Sequence, residues 1–568
     1  MKKIKNILAL MLVVFAVSSC VEKEPDYKNL PTKDVDFTFC VEGDEYQRDF
    51  YYVSTFQFTN TSAKSGAVSW DFDNDGVIDS TDPNPTHKFD KSGEYKVTLY
   101  VDGVGSRTYP ILVMDIVPVL SVESQSDSIV IINDVTVDLG IELPNPDNLE
   151  CKYLWKFPEG TTLADGTEIT EFEGYSHEDG TIDNPGTLKF KNVGSQKIEV
   201  QTYFDVNGEN RRLDDSYLNV QVGYTEAVPT LYYASYGGNI KAYKMIPEGT
   251  LPEGTKNLPF DMGVSSGVTP QCLVFATVDN QDYIYILDSG KNFCYQNDED
   301  GVLGDGKITV MSADGTYANT VITNVGGHAF SDPFHGCVSG DKLLYTDRNT
   351  GVSSIPLTTR GAVEKRVNSN TTDNWLFVNQ SLGYYGKGIT YGAVSTAIAV
   401  DKTGVYWWPK CYNATGIYRF KSSDIGVTDV KPTEILLDGA TMKAFALDET
   451  HGKMYCWLTS GAVGVGFAQY NMPAYEEGLA VTAHTKYIKM NAATTAGTAS
   501  SYEALYVSQF AVDQTTGNVY FGFNAEDGET TTTGVKYFDY ATSTIKSMEG
   551  NTDKAFGICI NPNKTKLF

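Results

Sequence analysis

The sequence predicts an all-β chain: two small sandwiches, then a large unit of repeated hairpins. Three observations carry that reading. Short alternating runs such as Tyr95-Lys96-Val97-Thr98-Leu99-Tyr100-Val101 are separated by clusters of Gly, Pro, Asn, Asp and Thr, and a period of two marks a half-buried strand. No long stretch carries apolar residues at helical spacing. One hairpin pattern then recurs through the C-terminal part of the chain at intervals of about 45 to 65 residues, a period that fits four-stranded units.

The chain has 568 residues, enough for about three domains with sizeable cores. Its first segment is a leader. Lys2, Lys3 and Lys5 precede an apolar run from Ile7 to Val17, followed by Ser18, Ser19 and Cys20. That run is too short to cross a hydrocarbon core of about 30 Å as a helix, so residues 1–19 read as a secretory signal. A cysteine directly after small residues resembles the lipobox of bacterial lipoproteins, which implies lipidation at Cys20 and an acidic linker over 20–34. No other segment is long and apolar enough to span, so the expected membrane attachment is through lipid alone.

Lys and Arg number 44 against 72 Asp and Glu, a formal charge of -28. Such a surface repels phosphate backbones, and no basic patch interleaved with aromatics occurs; nucleic acid is not an expected partner. The 36 tyrosines suit sugar or peptide recognition and equally suit strand faces. The cysteines after Cys20 lack C-x-x-C spacing and read as small core residues.

Residues 35–116 form the first predicted unit. There "VSWDFDNDGVIDSTDPNPTHKFDKSGEYKVTLYV" resembles the PKD domain, an immunoglobulin-like β-sandwich, through Trp70, Asp71, Phe72, Pro85, His87, Gly93, Tyr95, Val97 and Leu99. Its loop is longer and more acidic than the family pattern. Residues 117–225 read as a second, divergent copy, with the W-x-F spacing repeated at Trp155 and Phe157 and a later alternating strand from Gly194 to Phe204. Lys156 stands where the first copy has Asp71, so no shared metal chemistry is expected.

From 226 to 568 the recurring hairpins begin at Leu273, Phe334, Thr396, Ala444, Gln509 and Ala555. Each pairs two apolar strands across a polar turn near Asp279, Ser339, Asp401, Asp448, Asp513 or Asn561. The prediction is a six-bladed β-propeller, similar in general form to NHL-type propellers. The last copy and the stretch from Leu231 to Met245 would each supply two strands to a shared closing blade, which removes an open sheet edge.

The acidic loop invites a metal. Counted from Asp71, the residues Asp73, Asp75, Gly76, Val77, Asp79 and Asp82 take positions three, five, six, seven, nine and twelve. An EF-hand loop uses those positions, with a backbone carbonyl at the seventh and glycine at the sixth. Asp82 in place of the usual Glu, and delivery by a strand, leave two readings: a structural Ca2+ on Asp71, Asp73, Asp75, Val77, Asp79 and Asp82, or an Asp-rich turn.

Catalytic motifs are thin. "GVSSG" at 263–267 fits G-x-S-x-G but lacks the strand-then-helix setting of a nucleophile elbow. Of six histidines, His87 belongs to the PKD pattern, while His328 and His335 lie near a predicted blade start. No catalytic residue is assigned. Aromatics instead cluster in or beside 370–415, and Trp375, Tyr384, Tyr385, Trp408 and Tyr412 are the expected ligand-stacking residues. Because Trp407 and Trp408 alternate in a strand, at least one belongs to the core.

A lipid anchor, two PKD-like spacers and a terminal propeller resemble Bacteroidetes PKD-like surface lipoproteins found with SusC/SusD-like TonB-dependent importers. The resemblance implies a surface-exposed outer-membrane lipoprotein that binds glycan or oligopeptide as an accessory subunit. Two alternatives stay open at this stage: a propeller hydrolase or lyase, and a purely structural scaffold.

Overall fold

The computed structural model describes most of residues 33–566; the longest stretches outside the description are 1–32, 291–305, 364–396, 422–433 and 491–506. Every regular element among the described residues is a β-strand. Accordingly, none of them forms a helix long and apolar enough to cross a membrane. Cys20, Trp375, Tyr384, Tyr385 and Tyr412 lie outside the described residues.

The first unit has two three-stranded sheets. One pairs Phe37–Val41, Phe56–Asn60 and Thr86–His87; the other pairs Val68–Asp71, Gly93–Val101 and Gly105–Val113. Alternate residues of both point inward, so Phe37, Phe56, Phe58, Trp70, Val97 and Leu99 are buried in one cluster. Each such side chain contributes about 1.5–3 kcal/mol by leaving water.

The second unit repeats that pairing order. Its tryptophan strand, Cys151–Lys156, pairs with the long strand Gly194–Val206, which pairs with Ser216–Gly223. The opposite sheet holds Val119–Ser124, Val137–Glu142, Thr187–Phe190 and Thr161–Leu163. Trp70 and Phe72 stack with centroids 6.2 Å apart at 11°, and Trp155 and Phe157 do so at 6.2 Å and 11°. The W-x-F spacing therefore places the same pair of rings in both cores.

Among the described residues, six antiparallel sheets follow. The second comprises Pro270–Val278, Gln281–Asp288, Lys307–Ser312 and Ala318–Thr323; the third shows Pro333–Ser339, Lys342–Asp347 and Gly351–Pro356. The fourth, fifth and sixth start at Ala399–Val400, Thr441–Asp448 and Ala511–Val512. The first is composite: Val228–Ser235, Asn239–Lys244 and Phe260–Ser265 are joined by Ala555–Thr565 from the far end of the chain. Neighbouring sheets touch in order, and Ala555–Thr565 touches both Ala511–Val512 and Pro270–Val278, so the succession is cyclic.

Closure differs in detail from the sequence expectation of two strands from each end. Asn561, Pro562 and Asn563 read as a turn because Asn and Pro favour turns. Instead the backbone runs on as one strand, paired with Val228–Ser235 through a register shift.

Turns between first and second strands share one face. Lys402 N donates to Glu449 Oε2 at 2.7 Å, Gln514 Nε2 to Leu447 O at 2.9 Å, and Asn561 Nδ2 to Asp282 at 3.0 Å, each bond joining adjacent sheets. The second unit joins the ring on that face. Val193 N donates to Lys256 O at 3.1 Å, and Leu258 N returns to Val193 O at 2.9 Å. Gly194 sits at φ +110°, and a Cβ there would lie 2.3 Å from Leu258 O, so only glycine allows this approach.

Near the centre, first strands expose an inner edge whose N–H groups need partners. Side chains from neighbouring sheets supply them. Gln509 Oε1 accepts from Leu273 N and Ile558 N at 2.8 Å each, and its Nε2 donates to Leu273 O at 2.8 Å. Cys272 Sγ accepts from Gly336 N at 3.3 Å, and His335 Nδ1 from Ile398 N at 3.3 Å.

Candidate functional site

In the acidic loop, the strand Val68–Asp71 ends by turning Asp71 inward, where it is fully buried. Its carboxylate accepts from Asn74 N at 2.5 Å and Gly76 N at 3.0 Å. Asn74 and Gly76 hold the positive φ values, 62° and 86°, that wrap the chain around it. Asp79 Oδ2 accepts from Phe72 N at 2.7 Å. Asp71, Asp73 and Asp79 thereby bring one oxygen each within 4.8 Å of one another.

Asp75 and Asp82 stand outside that cluster. The Asp75 carboxylate takes Val77 N at 2.7 Å, and the Asp82 contact is its carbonyl oxygen, which accepts from the Trp70 indole at 3.0 Å. Val77 is 61% exposed. Of the six sequence-predicted ligands, the structure gathers three carboxylates. His87 stacks on Phe72 at 4.0 Å, and burial lowers its pKa, so it stands beside the loop as a neutral ring.

The aromatic platform needs a correction at Trp408. It is fully buried, packed 6.1 Å from Tyr418 and 6.2 Å from Phe420, and cannot stack on a ligand. Trp407 is also fully buried: its indole donates to Asp401 Oδ2 at 2.8 Å, and the Arg419 guanidinium lies 4.4 Å over its ring. The strand Tyr406–Lys410 lies between neighbouring sheets, so both of its faces are covered and alternation leaves no wet side.

The other singled-out residues are also structural in setting. His335 is buried and desolvation pushes its pKa down to about 4, which keeps the ring neutral and its Nδ1 free to accept. The 263–267 motif runs from the strand Phe260–Ser265 through a turn into the strand Pro270–Val278, with no helix after it. Asp288 organises that turn by accepting from Val268 N at 3.0 Å and Thr269 N at 2.7 Å. The six described cysteines form no disulfide.

A groove of about 760 Å³ lies between the sixth and first sheets and reaches the face that the second unit joins. Three tyrosines from three strands line it. Tyr520 and Tyr537 stack at 5.3 Å and 26°, and Tyr243 comes from the first sheet. Burial pushes the Tyr243 pKa up to about 12 and raises that of Tyr537, so these are neutral phenols at any physiological pH. Asp513, Asp539, Glu248 and Glu549 add carboxylates. Lys546 bonds Asp539 at 2.7 Å and lowers its pKa.

The loop 246–258 forms one wall of this groove and, on its other side, docks the second unit. Thr255 Oγ1 and Asn257 Oδ1 are buried there without hydrogen-bond partners. Sequence reading missed this site because its tyrosines lie on separate strands, nearly 300 residues apart at the extreme. Its only sequence signal is an aromatic at the same place in facing strands.

No protein-family model matches the chain, and no curated protein matches it. Among solved structures, it is similar to a quinonprotein alcohol dehydrogenase-like protein from Bacteroides thetaiotaomicron: 12% identity, TM-score 0.31, covering 77% of this chain and 94% of that one. A DUF4784 family protein from Bacteroides caccae is 10% identical with TM-score 0.28, over 78% of this chain and 98% of that one. Saccharomyces cerevisiae Sqt1 is 10% identical with TM-score 0.29, over 64% of this chain and 84% of that one. At such identities and scores these likenesses assign neither a family nor an activity.

Proposed function

We propose that the chain is a surface-displayed binding protein, with the six-sheet ring acting as a β-propeller that takes a nutrient ligand. In this reading Cys20 carries the lipid anchor in the outer membrane, and the two sandwiches are PKD-like spacers. The ligand is a glycan or oligopeptide, handed to a SusC/SusD-like importer. The observation that carries the binding reading is the groove: three tyrosines and four carboxylates line one cavity. Large apolar faces with a few placed polar groups are the usual make-up of a ligand site.

Among the described residues no histidine or cysteine lines the groove, and its Ser547 is tied to a neighbour, Oγ accepting from Lys536 Nζ at 2.8 Å. Asp539 is engaged by Lys546, and the Asp513 carboxylate accepts from Thr515 N at 2.9 Å and Thr516 Oγ1 at 2.7 Å. We assign the acidic loop a structural Ca2+ held by Asp71, Asp73 and Asp79, whose clustered oxygens suit a hard cation. The ion would offset their mutual repulsion and stiffen a spacer.

Mild-detergent purification from the native membrane, with identification of co-purifying subunits and bound ligand, tests the whole assignment. Recovery of the protein alone and empty, in repeated preparations, would count against it.

A further inference from the structure

We propose that the second unit braces the groove: seated on the ring, it holds the wall 246–257 in place, and unseating it releases that wall. Seating and groove shape are then coupled, whatever the groove takes, which goes beyond the binding reading above.

The wall is a strap closed at its base. Lys244 O accepts from Ile246 N at 2.8 Å and from Asn257 Nδ2 at 2.8 Å, so both ends of the strap return to one carbonyl. Between them Pro-Glu-Gly-Thr occurs twice, at 247–250 and 252–255. Each copy is a tight turn: Thr250 N donates to Pro247 O at 3.2 Å and Thr255 N to Pro252 O at 3.0 Å, with Gly249 at φ 79° and Gly254 at φ 73°. Positive φ at the third residue is the type II form, which glycine adopts without steric cost. Both turns bond inward. Among the described residues, the strap's hydrogen bonds to the rest of the ring sit at its base.

The second unit supplies the outer support. It carries a third Pro-Glu-Gly-Thr turn at 158–161, where Thr161 N donates to Pro158 O at 3.2 Å and Gly160 has φ 83°. Asn192, 3% exposed, bridges this turn to the strap: its Nδ2 donates to Glu159 O at 2.7 Å and its Oδ1 accepts from Lys256 N at 2.9 Å. Glu159 Oε2 and Lys256 Nζ form an ion pair at 2.7 Å. Just past the strap, Ser195 N donates to Pro259 O at 3.2 Å and Ser195 Oγ accepts from Asp261 N at 2.7 Å. Val193 and Asn257 are parallel bridge partners, so the strap's end is paired alongside the second unit's backbone.

The groove follows the strap's position directly. Most of the strap from Ile246 to Asn257 lines it, and Glu248 Oε2 reaches Lys546 of the sixth sheet at 3.7 Å. One strap thus carries one ion pair to the sixth sheet and another to the second unit. Exposed pairs of this kind stabilise little, but they report position. An element held at two places couples them, and what biases one contact biases the other by the same free energy.

The experiment treats the full chain with a zero-length carbodiimide, which joins a carboxylate to a touching amine as an amide while the reagent takes up the water as a urea. Mass spectrometry of digests measures the Glu159–Lys256 and Glu248–Lys546 amides, and hydrogen exchange measures backbone opening in 246–258 and in Pro270–Val278. Asn192→Ala removes both side-chain bonds of the bridge, and Gly194→Val sets a side chain against Leu258 O. In each variant both amide yields should fall together. Exchange in 246–258 should accelerate at least about tenfold while 270–278 keeps its protection. A variant whose second unit unfolds also loses the brace, so the expected result is the same.

Three results would overturn the coupling. One is a Glu159–Lys256 amide that fails to form in the unmodified chain or survives in both variants, which means that the unit is not seated through this joint. Another is loss of that amide with the Glu248–Lys546 yield and the 246–258 exchange unchanged, which shows that the ring holds the strap alone. The last is equal acceleration in 270–278, which makes the joint a support of the whole ring and not of the groove wall.

Discussion

Removing the Gln509 carboxamide should open the ring at its closure. Gln509 precedes the sixth sheet and ties the inner edge of the second sheet to the chain-terminal strand of the first. Gln509→Ala leaves Leu273 N and Ile558 N without partners in a buried setting, and leaves Leu273 O only a weak contact from Cys272 Sγ at 3.7 Å. Each stranded N–H costs about 1–3 kcal/mol, so the expected loss is about 2–6 kcal/mol. Gln509→Met fills nearly the same volume without hydrogen bonding, so its loss reports the hydrogen-bond part alone. Scanning calorimetry of the full chain is the assay, because the two N-terminal units and the ring are expected to unfold in separate transitions. Only the ring transition should fall. A loss below about 1 kcal/mol in both variants would refute the idea that this side chain closes the ring.

Other expectations concern separate parts of the molecule. Calcium should raise the melting temperature of the first unit in the full chain, and Asp73→Ala, which changes an exposed carboxylate of the cluster, should abolish the rise; an unchanged rise would remove Asp73 from the site. Arg419 and Glu434 form a fully buried ion pair, with Arg419 also donating to Pro473 O at 2.8 Å. Arg419→Met should cost about 3–5 kcal/mol by denaturant unfolding, and Arg419→Met with Glu434→Leu should recover much of it. His335 has a folded pKa of about 4 against 6.5 unfolded. Between those values the unfolded chain binds the extra proton, so stability should fall as pH drops from about 6.5 to 4. His335→Gln should flatten that part of the stability profile; an identical slope in the variant would show that His335 does not set it.

Much of the β architecture could be read from local pattern, and the exceptions have physical causes. Trp70-Asp71-Phe72 and Trp155-Lys156-Phe157 fix two buried rings on one sheet face, and the structure places both pairs in the same way. The polar turns at Asp401, Asp448 and Asp513 were visible because their carboxylates accept from nearby turn N–H groups. Trp408 was misassigned because alternation distinguishes one face from another only when one of them is wet. The groove was hidden for a different reason: Tyr243, Tyr520 and Tyr537 meet only after the ring closes. Cys272, His335 and Gln509 each precede a first strand's apolar run, yet they differ in type, and what they share is a partner N–H that only the fold reveals.

The composite first sheet also bears on how the molecule is made. Synthesis delivers residues 228–265 long before 555–565, so Val228–Ser235 must wait with an unpaired edge while five further sheets emerge. A nascent chain that stalls late would carry nearly all of its ring yet present an open strand able to recruit a second copy. Passing from five sheets to six is then a checkpoint on completeness. Since the tyrosine groove lies beside that seam, only chains that have added Ala555–Thr565 acquire it.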